Sequence, residues 1–430
     1  MTFENQGWYM IPFRINDYEK YTKQLSKYKR YYEFSQCRYI FSYITDLFSD
    51  KDDAYIKTYI ISNDDIANEL IFPHTYNGEN YDVTLKDIKI TTFKSGIGLI
   101  IFNVKFNNMN LKSIADFTND FKKMHNDKKQ NDFIRKRYGN LWQIVQRILS
   151  DDLTEAFFFS NRSDNYESFV MLGVQDEFKE ENYSKILSQL KHGMRADVDT
   201  TRYDNLANIE VSEYSYIRFG ASQNAMVCLI NKALVPDNSK KFIDKIFSEN
   251  FTHSYFCLYL LLINQRLTLL NTMYKSMKYK DDIEKLQQIQ KDLTHFRMLA
   301  SFNVVSNTGI YQCLYDKIYE VLKIDRLYTD VDEINQKIVQ EDEVEDIQRE
   351  KRVNVLLTGI SLLTVFSALV DFSDFFSELF KGEFAAVGPK NIFSIGLLGL
   401  VLFSVIVYIF VRKTGIISHK KKRNNHKTKK

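Results

Sequence analysis

The sequence predicts an α+β protein: a mixed α/β domain, then a long helical stalk, then a C-terminal hairpin of two membrane-spanning helices. Three observations carry this. Over residues 1–250, short β-branched and aromatic runs alternate with helical patterns. From Phe251 the apolar spacing becomes helical. Near the end, two uncharged apolar runs, Val353 to Val370 and Ile392 to Val411, each approach the roughly 20 residues a helix needs to cross a hydrocarbon core.

A chain of 430 residues has room for two or three folding units, one of them the membrane hairpin. Charged residues at 26% and hydrophobic ones at 44% are ordinary for a folded protein. With 4 Pro and 15 Gly there is little material for long disordered linkers, and 27 Tyr with 33 Phe point to an aromatic-rich core. The net charge of +3 conceals an asymmetry: nine Lys or Arg and no acid lie between Arg412 and Lys430, which leaves −6 (+3 less nine) on the rest. That argues against direct nucleic-acid binding, which spreads basic charge over the folded domain. Cys37, Cys228, Cys257 and Cys313 form no CxxC pair, so a reduced compartment without a structural metal is expected. The N-terminus lacks the basic and apolar regions of a signal peptide.

In chain order, Trp8 to Ile15 reads as an opening strand. Tyr18 to Phe48 is aromatic and basic with a helical rhythm through Tyr28, Tyr32, Tyr39 and Tyr43. Tyr55 to Ser62 is a strand, and Lys86 to Phe106 a β-hairpin turning at Lys94-Ser95-Gly96. Ser113 to His125 is a helix. Further strand candidates are Glu155 to Ser160, Ser168 to Val174 and Ser215 to Ile230. Tyr255 to Tyr279 is strongly apolar, but Asn264, Gln265 and Arg266 interrupt it, so it reads as a buried helix of the soluble part. Asp281 to Ala300 is a second helix. A third begins near Ile310, has no Pro or Gly until Gly359, and keeps Leu314, Ile318, Val321, Ile324, Tyr328, Val331, Ile334 and Ile338 on one face. It enters the first membrane run without a break; about 60 residues of helix would span about 90 Å.

These elements divide the chain into a cytosolic domain over 1–250, a helical region over 251–352, the membrane helices 353–370 and 392–411 with an outer loop 371–391, and a basic tail over 412–430. Arg349, Lys351 and Arg352 before the first span, and Arg412 and Lys413 after the second, place both termini in the cytoplasm of a cell-membrane protein. The link from Asp371 to Lys390, net −2, lies outside, and the basic tail meets anionic lipid headgroups.

The two spans differ chemically. The second is nearly all apolar, which suits a lipid-facing helix. In the first, Asn354, Thr358, Ser361, Thr364, Ala368 and Asp371 follow in steps of 4, 3, 3, 4 and 3 and share one helix face. Repeated around an oligomer axis, that stripe lines a hydrated pore, with Asp371 ringing its outer mouth. The alternative is that the hydroxyls bond their own helix carbonyls and the spans serve as an anchor. Before the membrane, Glu341, Asp342, Glu343, Glu345, Asp346 and Glu350 form either an acidic vestibule that concentrates a divalent cation or a solvated helix face.

There is no Walker A, HExxH, GxSxG or paired CxxC motif, and the seven histidines are isolated, so neither an enzyme nor a tightly bound cofactor is expected. A nucleotide would need phosphate donors beside an aromatic or apolar slot. Arg218-Phe219-Gly220-Ala221-Ser222-Gln223-Asn224 offers that mixture, with Arg218, Ser222 and Asn224 as the donors, and Arg162 in Asn161-Arg162-Ser163 is a second candidate. Both stretches are also ordinary turn chemistry.

The stalk, the span running directly from it, the short outer loop, the second span and the basic tail together resemble the CorA family of divalent-cation channels and transporters, over roughly Phe251 to Lys430. Arg352-Val353-Asn354, then Leu357-Thr358 and Ser361, is similar to that family's entry into the pore. The family's Gly-Met-Asn signature is missing: Leu369-Val370-Asp371-Phe372-Ser373-Asp374 stands there instead, so magnesium selectivity does not carry over. The enlarged soluble domain and missing signature resemble the subgroup that accompanies type III CRISPR systems. That resemblance implies a pentameric antiviral effector whose cytosolic domain binds a nucleotide messenger, S-adenosylmethionine joined to AMP (SAM-AMP). A constitutive divalent-cation transporter and a non-conducting membrane-anchored sensor are the competing readings.

Overall fold

A computed structural model describes residues 3–31, 37–49, 51–61, 75–76, 79–80, 82–122, 145, 152–156, 168–194, 210–280 and 282–380. The strands are β1 (Gln6–Ile15), β2 (Lys29–Tyr31), β3 (Ile56–Ile61), β4 (Thr75–Tyr76), β5 (Glu79–Asn80), β6 (Val83–Phe93), β7 (Ile97–Phe106), β8 (Thr154–Ala156), β9 (Phe169–Asp176), β10 (Glu210–Tyr214), β11 (Ile217–Ser222) and β12 (Ala225–Asn231). The principal helices are α1 (Tyr18–Leu25), α2 (Leu111–Lys122), α3 (Tyr183–His192), α4 (Phe256–Lys278), α5 (Ile283–Ala300), α6 (Gly309–Val321) and α7 (Ile324–Phe380).

Ten strands form one sheet in the order β10-β11-β12-β9-β1-β7-β6-β3-β2, with β8 also on β1. Among the described strands only β9 and β12 pair in parallel; the other neighbours are antiparallel. Strand and helix patterns do alternate along the chain, but sequential hairpins make the sheet mostly antiparallel.

Every residue of β1 is buried, and the period of two explains how. Trp8 and Met10 enter a core shared with α4, α5 and α6, while Tyr9, Ile11 and Phe13 enter one shared with α1, α2 and α3. Alternate residues of β7, β9 and β12 divide in the same way. The sheet is therefore the middle of three layers, and its central strands read as continuous apolar runs because both faces are covered. The expected hairpin is β6–β7, and Gly96 (φ +80°) takes the left-handed position of its turn.

Three local expectations change. Tyr18 to Phe48 is not one helix: α1 ends at Leu25, β2 pairs with β3, and a short helix, Ser42–Thr45, follows. Tyr28, Tyr39 and Tyr43 pack onto different neighbours, Tyr39 on Tyr311 and Tyr43 on Phe302, and Tyr32 lies outside the described residues. Ser215 to Ile230 is two strands that fold back at Gln223-Asn224. The helix expected from Ile310 is broken at Lys323, which sits at φ 54° between α6 and α7. No Pro or Gly marks that break; the backbone at Lys323 takes a left-handed turn that closes α6.

Helix α4 bears out the buried apolar helix, and its three polar interruptions each make a tie. Asn264 Oδ1 accepts from Ser95 Oγ (3.1 Å) and Thr268 Oγ1 (3.2 Å). Gln265 Nε2 donates to the Ala300 carbonyl (2.8 Å) and to Tyr315 Oη (3.0 Å). Arg266 donates to the Leu322 carbonyl (3.1 Å) beyond the end of α6. The chain divides into two compact units, Met1–Gln336 and Lys337–Lys430, and the boundary falls within α7.

Candidate functional site

The expected pore stripe lies on α7, which runs through Phe380 and so is helical over the first ten residues of the segment read as an outer loop. Thr358 Oγ1 donates to the Asn354 carbonyl (2.7 Å), Ser361 Oγ to the Leu357 carbonyl (2.8 Å) and Thr364 Oγ1 to the Ile360 carbonyl (2.6 Å). Each hydroxyl proton is used within the helix, while the oxygen keeps acceptor capacity for water or a partner. Around them Val353, Val355, Leu356, Leu357, Ile360, Leu362 and Leu363 are all more than half exposed, Leu363 at 71%. A contiguous apolar surface of this kind marks a face that meets lipid or protein.

Asp371 is a helical residue of α7, as are Glu341, Asp342, Glu345 and Asp346; their side chains lie outside the described ones. The helix sets Glu341 and Glu345, and Asp342 and Asp346, one turn apart. Among the described residues no helix is long and apolar enough to cross a membrane. The described side chains of the first apolar run stop at Val365, short of its end at Val370, and the run 392–411 lies outside the described residues, as does Arg162.

The other expected ligand residues are engaged in the fold. Arg218, on β11, lies between Glu180 (3.5 Å) and Glu210 (3.8 Å), with its guanidinium 4.2 Å from the centre of the Tyr183 ring. Ser222 donates to the Lys191 carbonyl (2.7 Å) and accepts from the Ala225 amide (3.1 Å), which closes the β11–β12 turn. The Asn224 carbonyl accepts from the Val170 amide (2.8 Å) and ties that turn to β9. Arg218 and Ser222 share the face of β11 that α3 covers, where Leu187 packs against Gly220.

A different site emerges in the unit Met1–Gln336. Asn264, Thr268, Asn271, Lys275 and Lys278 follow along α4 in steps of four and three, one polar seam on an apolar helix. The seam faces the β6–β7 turn and α5 and encloses a cavity of about 190 Å³, lined among others by Tyr55, Ser95, Asn271, Lys275, Asp292 and Phe296. Asn271 and Lys275 also line an adjoining groove of about 490 Å³, whose rim carries Arg14, Tyr274, Lys278, Tyr279 and Lys285. Asn271 is only 3% exposed and its Oδ1 has no hydrogen-bond partner; the Tyr55 hydroxyl, on a residue 6% exposed, makes no well-aligned hydrogen bond but lies beside Ser95 and Asn264. Burial raises Tyr55 to about 12, so it stays protonated and able to donate. Burial also pulls Lys275 below the ordinary lysine range; Asp292 offsets part of this and Arg14 adds to it. Arg14 stacks 3.9 Å from the centre of the Tyr274 ring and is 3.6 Å from Glu155. Sequence reasoning used Asn264 and its neighbours only to reject a membrane span. The 4-3-4-3 spacing of polar residues was the available signal, but the enclosing partners come from far along the chain.

No family model matches the chain. No curated protein matches it. Among solved structures it is similar to the CorA magnesium transporter from Methanocaldococcus jannaschii, at 13% identity, covering 61% of this chain and 95% of that chain, with a TM-score of 0.22. A score that low carries no argument about fold or activity.

Proposed function

We propose that the chain is a CorA-like, homo-oligomeric cation channel or transporter of the cell membrane, with both termini cytoplasmic. The observation that carries this is the described part of α7, where a run of exposed large apolar side chains is crossed by Asn354, Thr358, Ser361 and Thr364 at helical spacing. Apolar surface of that extent is stabilised by lipid or by neighbouring helices, and a polar stripe within it faces a partner or water. In the oligomer the stripe lines the pore, Asp371 stands at its outer mouth, and Glu341, Asp342, Glu345 and Asp346 draw cations to its cytoplasmic entrance. The missing Gly-Met-Asn signature and the enlarged N-terminal domain support the finer reading: an antiviral effector of type III CRISPR systems, opened by a SAM-AMP-type messenger bound to the cytosolic domain.

Flux of divalent and monovalent cations from proteoliposomes, with and without the messenger, tests this. Messenger-dependent flux supports the effector, and flux without messenger the constitutive transporter. Asn354→Leu and Asp371→Ala are each expected to lower flux several-fold; unchanged flux in both removes the stripe from the pore. A non-conducting anchor is the second reading. Its support is that all three stripe hydroxyls already bond their own helix, and absence of flux in every condition would establish it.

A further inference from the structure

We propose that the cavity and groove along the polar seam of α4 form a binding site for a small phosphate monoester, its phosphate seated between Lys275, Asn271 and Tyr55 and its organic part lying in the groove beside Tyr274 and Tyr279.

The inner end is built from polar groups whose bonding capacity the fold leaves partly unused. The Lys275 ammonium makes no ion pair or hydrogen bond among the described residues; the nearby Asp292 carboxylate accepts instead from Gln288 Nε2 (2.8 Å). Asn271 is almost fully buried with an unpartnered Oδ1; with the carboxamide turned over, the same position presents Nδ2, a donor. The Tyr55 hydroxyl, beside Ser95 and Asn264 without a well-aligned bond to either, is the third group. A fold leaves few buried polar groups unsatisfied, because each costs about 1–3 kcal/mol. An ammonium, an amide and a hydroxyl converging on a cavity supply the donors that an oxyanion accepts. The lowered proton affinity of Lys275 fits: desolvation outweighs the offset from Asp292, and an anion bound beside the ammonium would restore that affinity.

Charge at the rim selects phosphate over a single carboxylate. Arg14, Lys275, Lys278 and Lys285 line the groove against Glu155. Two of these cations are already partnered, Arg14 with Glu155 and Lys285 with Asp282, yet the field along the groove remains positive. A dianion with three acceptor oxygens uses that field better than one carboxylate does. The rings of Tyr274 and Tyr279 supply the flat apolar surface on which an organic group lies.

The site rests on this geometry and not on the channel reading, and its test needs no flux. Full-length protein in detergent micelles is titrated calorimetrically with AMP and with inorganic phosphate. Saturable binding of AMP, tighter than that of phosphate, is expected. Lys275→Met should weaken AMP binding by about tenfold or more, Asn271→Leu should weaken it as well, and Lys275→Arg should retain most of it. Because Lys275→Met removes an unpaired, half-buried charge, its melting temperature without ligand should not fall, which separates lost binding from lost folding. Absence of saturable binding by both probes overturns the proposal, as does wild-type affinity in Lys275→Met. AMP binding no tighter than inorganic phosphate overturns the role assigned to the groove.

Discussion

At Gly98, on β7, a Cβ would sit 2.1 Å from the Phe13 ring of the neighbouring strand, so the position is held at hydrogen by an aromatic packed flat against the backbone. Gly98→Ala is expected to destabilise the protein by about 1–3 kcal/mol through overpacking, read as a lower denaturation midpoint. Phe13 itself was legible in the sequence, as an apolar residue of an opening strand. That it crosses to Gly98 was not, because the register between β1 and β7 depends on residues some 85 positions apart. The same limit governs the cavity. Lys275 reads as a surface residue near the end of a helix, and only the arrival of Tyr55 and Asp292 from elsewhere in the chain places it, half-buried, at a cavity.

Helix α4 shows how one element holds several others. Its apolar residues from Phe256 to Leu269 are buried, and Asn264, Gln265 and Arg266 within that stretch fix neighbouring elements. Gln265 is the clearest case: its amide bridges the end of α5 and the Tyr315 hydroxyl of α6, and that hydroxyl donates on to the Phe302 carbonyl (2.8 Å). Gln265→Ala is expected to cost about 1–3 kcal/mol, since it strands a buried carbonyl. A parallel loss of near-ultraviolet circular dichroism from Tyr315 would place the damage at that junction. Helix α7 makes the opposite use of the same pattern. Over the described part of its apolar run the large side chains face outward, and the hydroxyls turn inward to their own carbonyls. Both are apolar helices with scattered polar residues, told apart in the sequence by the interruption at Asn264-Gln265-Arg266. In the structure the sheet buries most of the first, while the large apolar residues over 353–363 of the second are exposed.

On the scale of the whole unit Met1–Gln336, the sheet ties the N-terminal segment into the core, and charge pairs fasten its edge. Glu4 lies between Lys86 (2.9 Å) and Lys105, and hydrogen bonds from both, Lys105 foremost, hold its carboxyl below the usual value of 4.5. A depressed carboxylate contributes stability that is present above its unfolded value and lost as pH falls through the native one. Glu4→Gln is therefore expected to lower stability at neutral pH and to flatten the acid limb of the stability profile, seen in midpoints measured against pH. Much of this unit was legible beforehand. β1, β3, the β6–β7 hairpin, β9 and helices α2, α4 and α5 follow from local periodicity, because each buries a face whose spacing the backbone geometry imposes. The sheet order, the break at Lys323 and the engagement of Arg218 and Ser222 under α3 do not, since each depends on what packs against it. The sequence by itself determined which segments are helix or strand and which stretches are too apolar to face water. Only the tertiary structure decided which polar residues are spent on the fold and which are left unpartnered around a cavity. Hydrogen-bond satisfaction is settled by neighbours brought together from distant parts of the chain, and no local pattern records them.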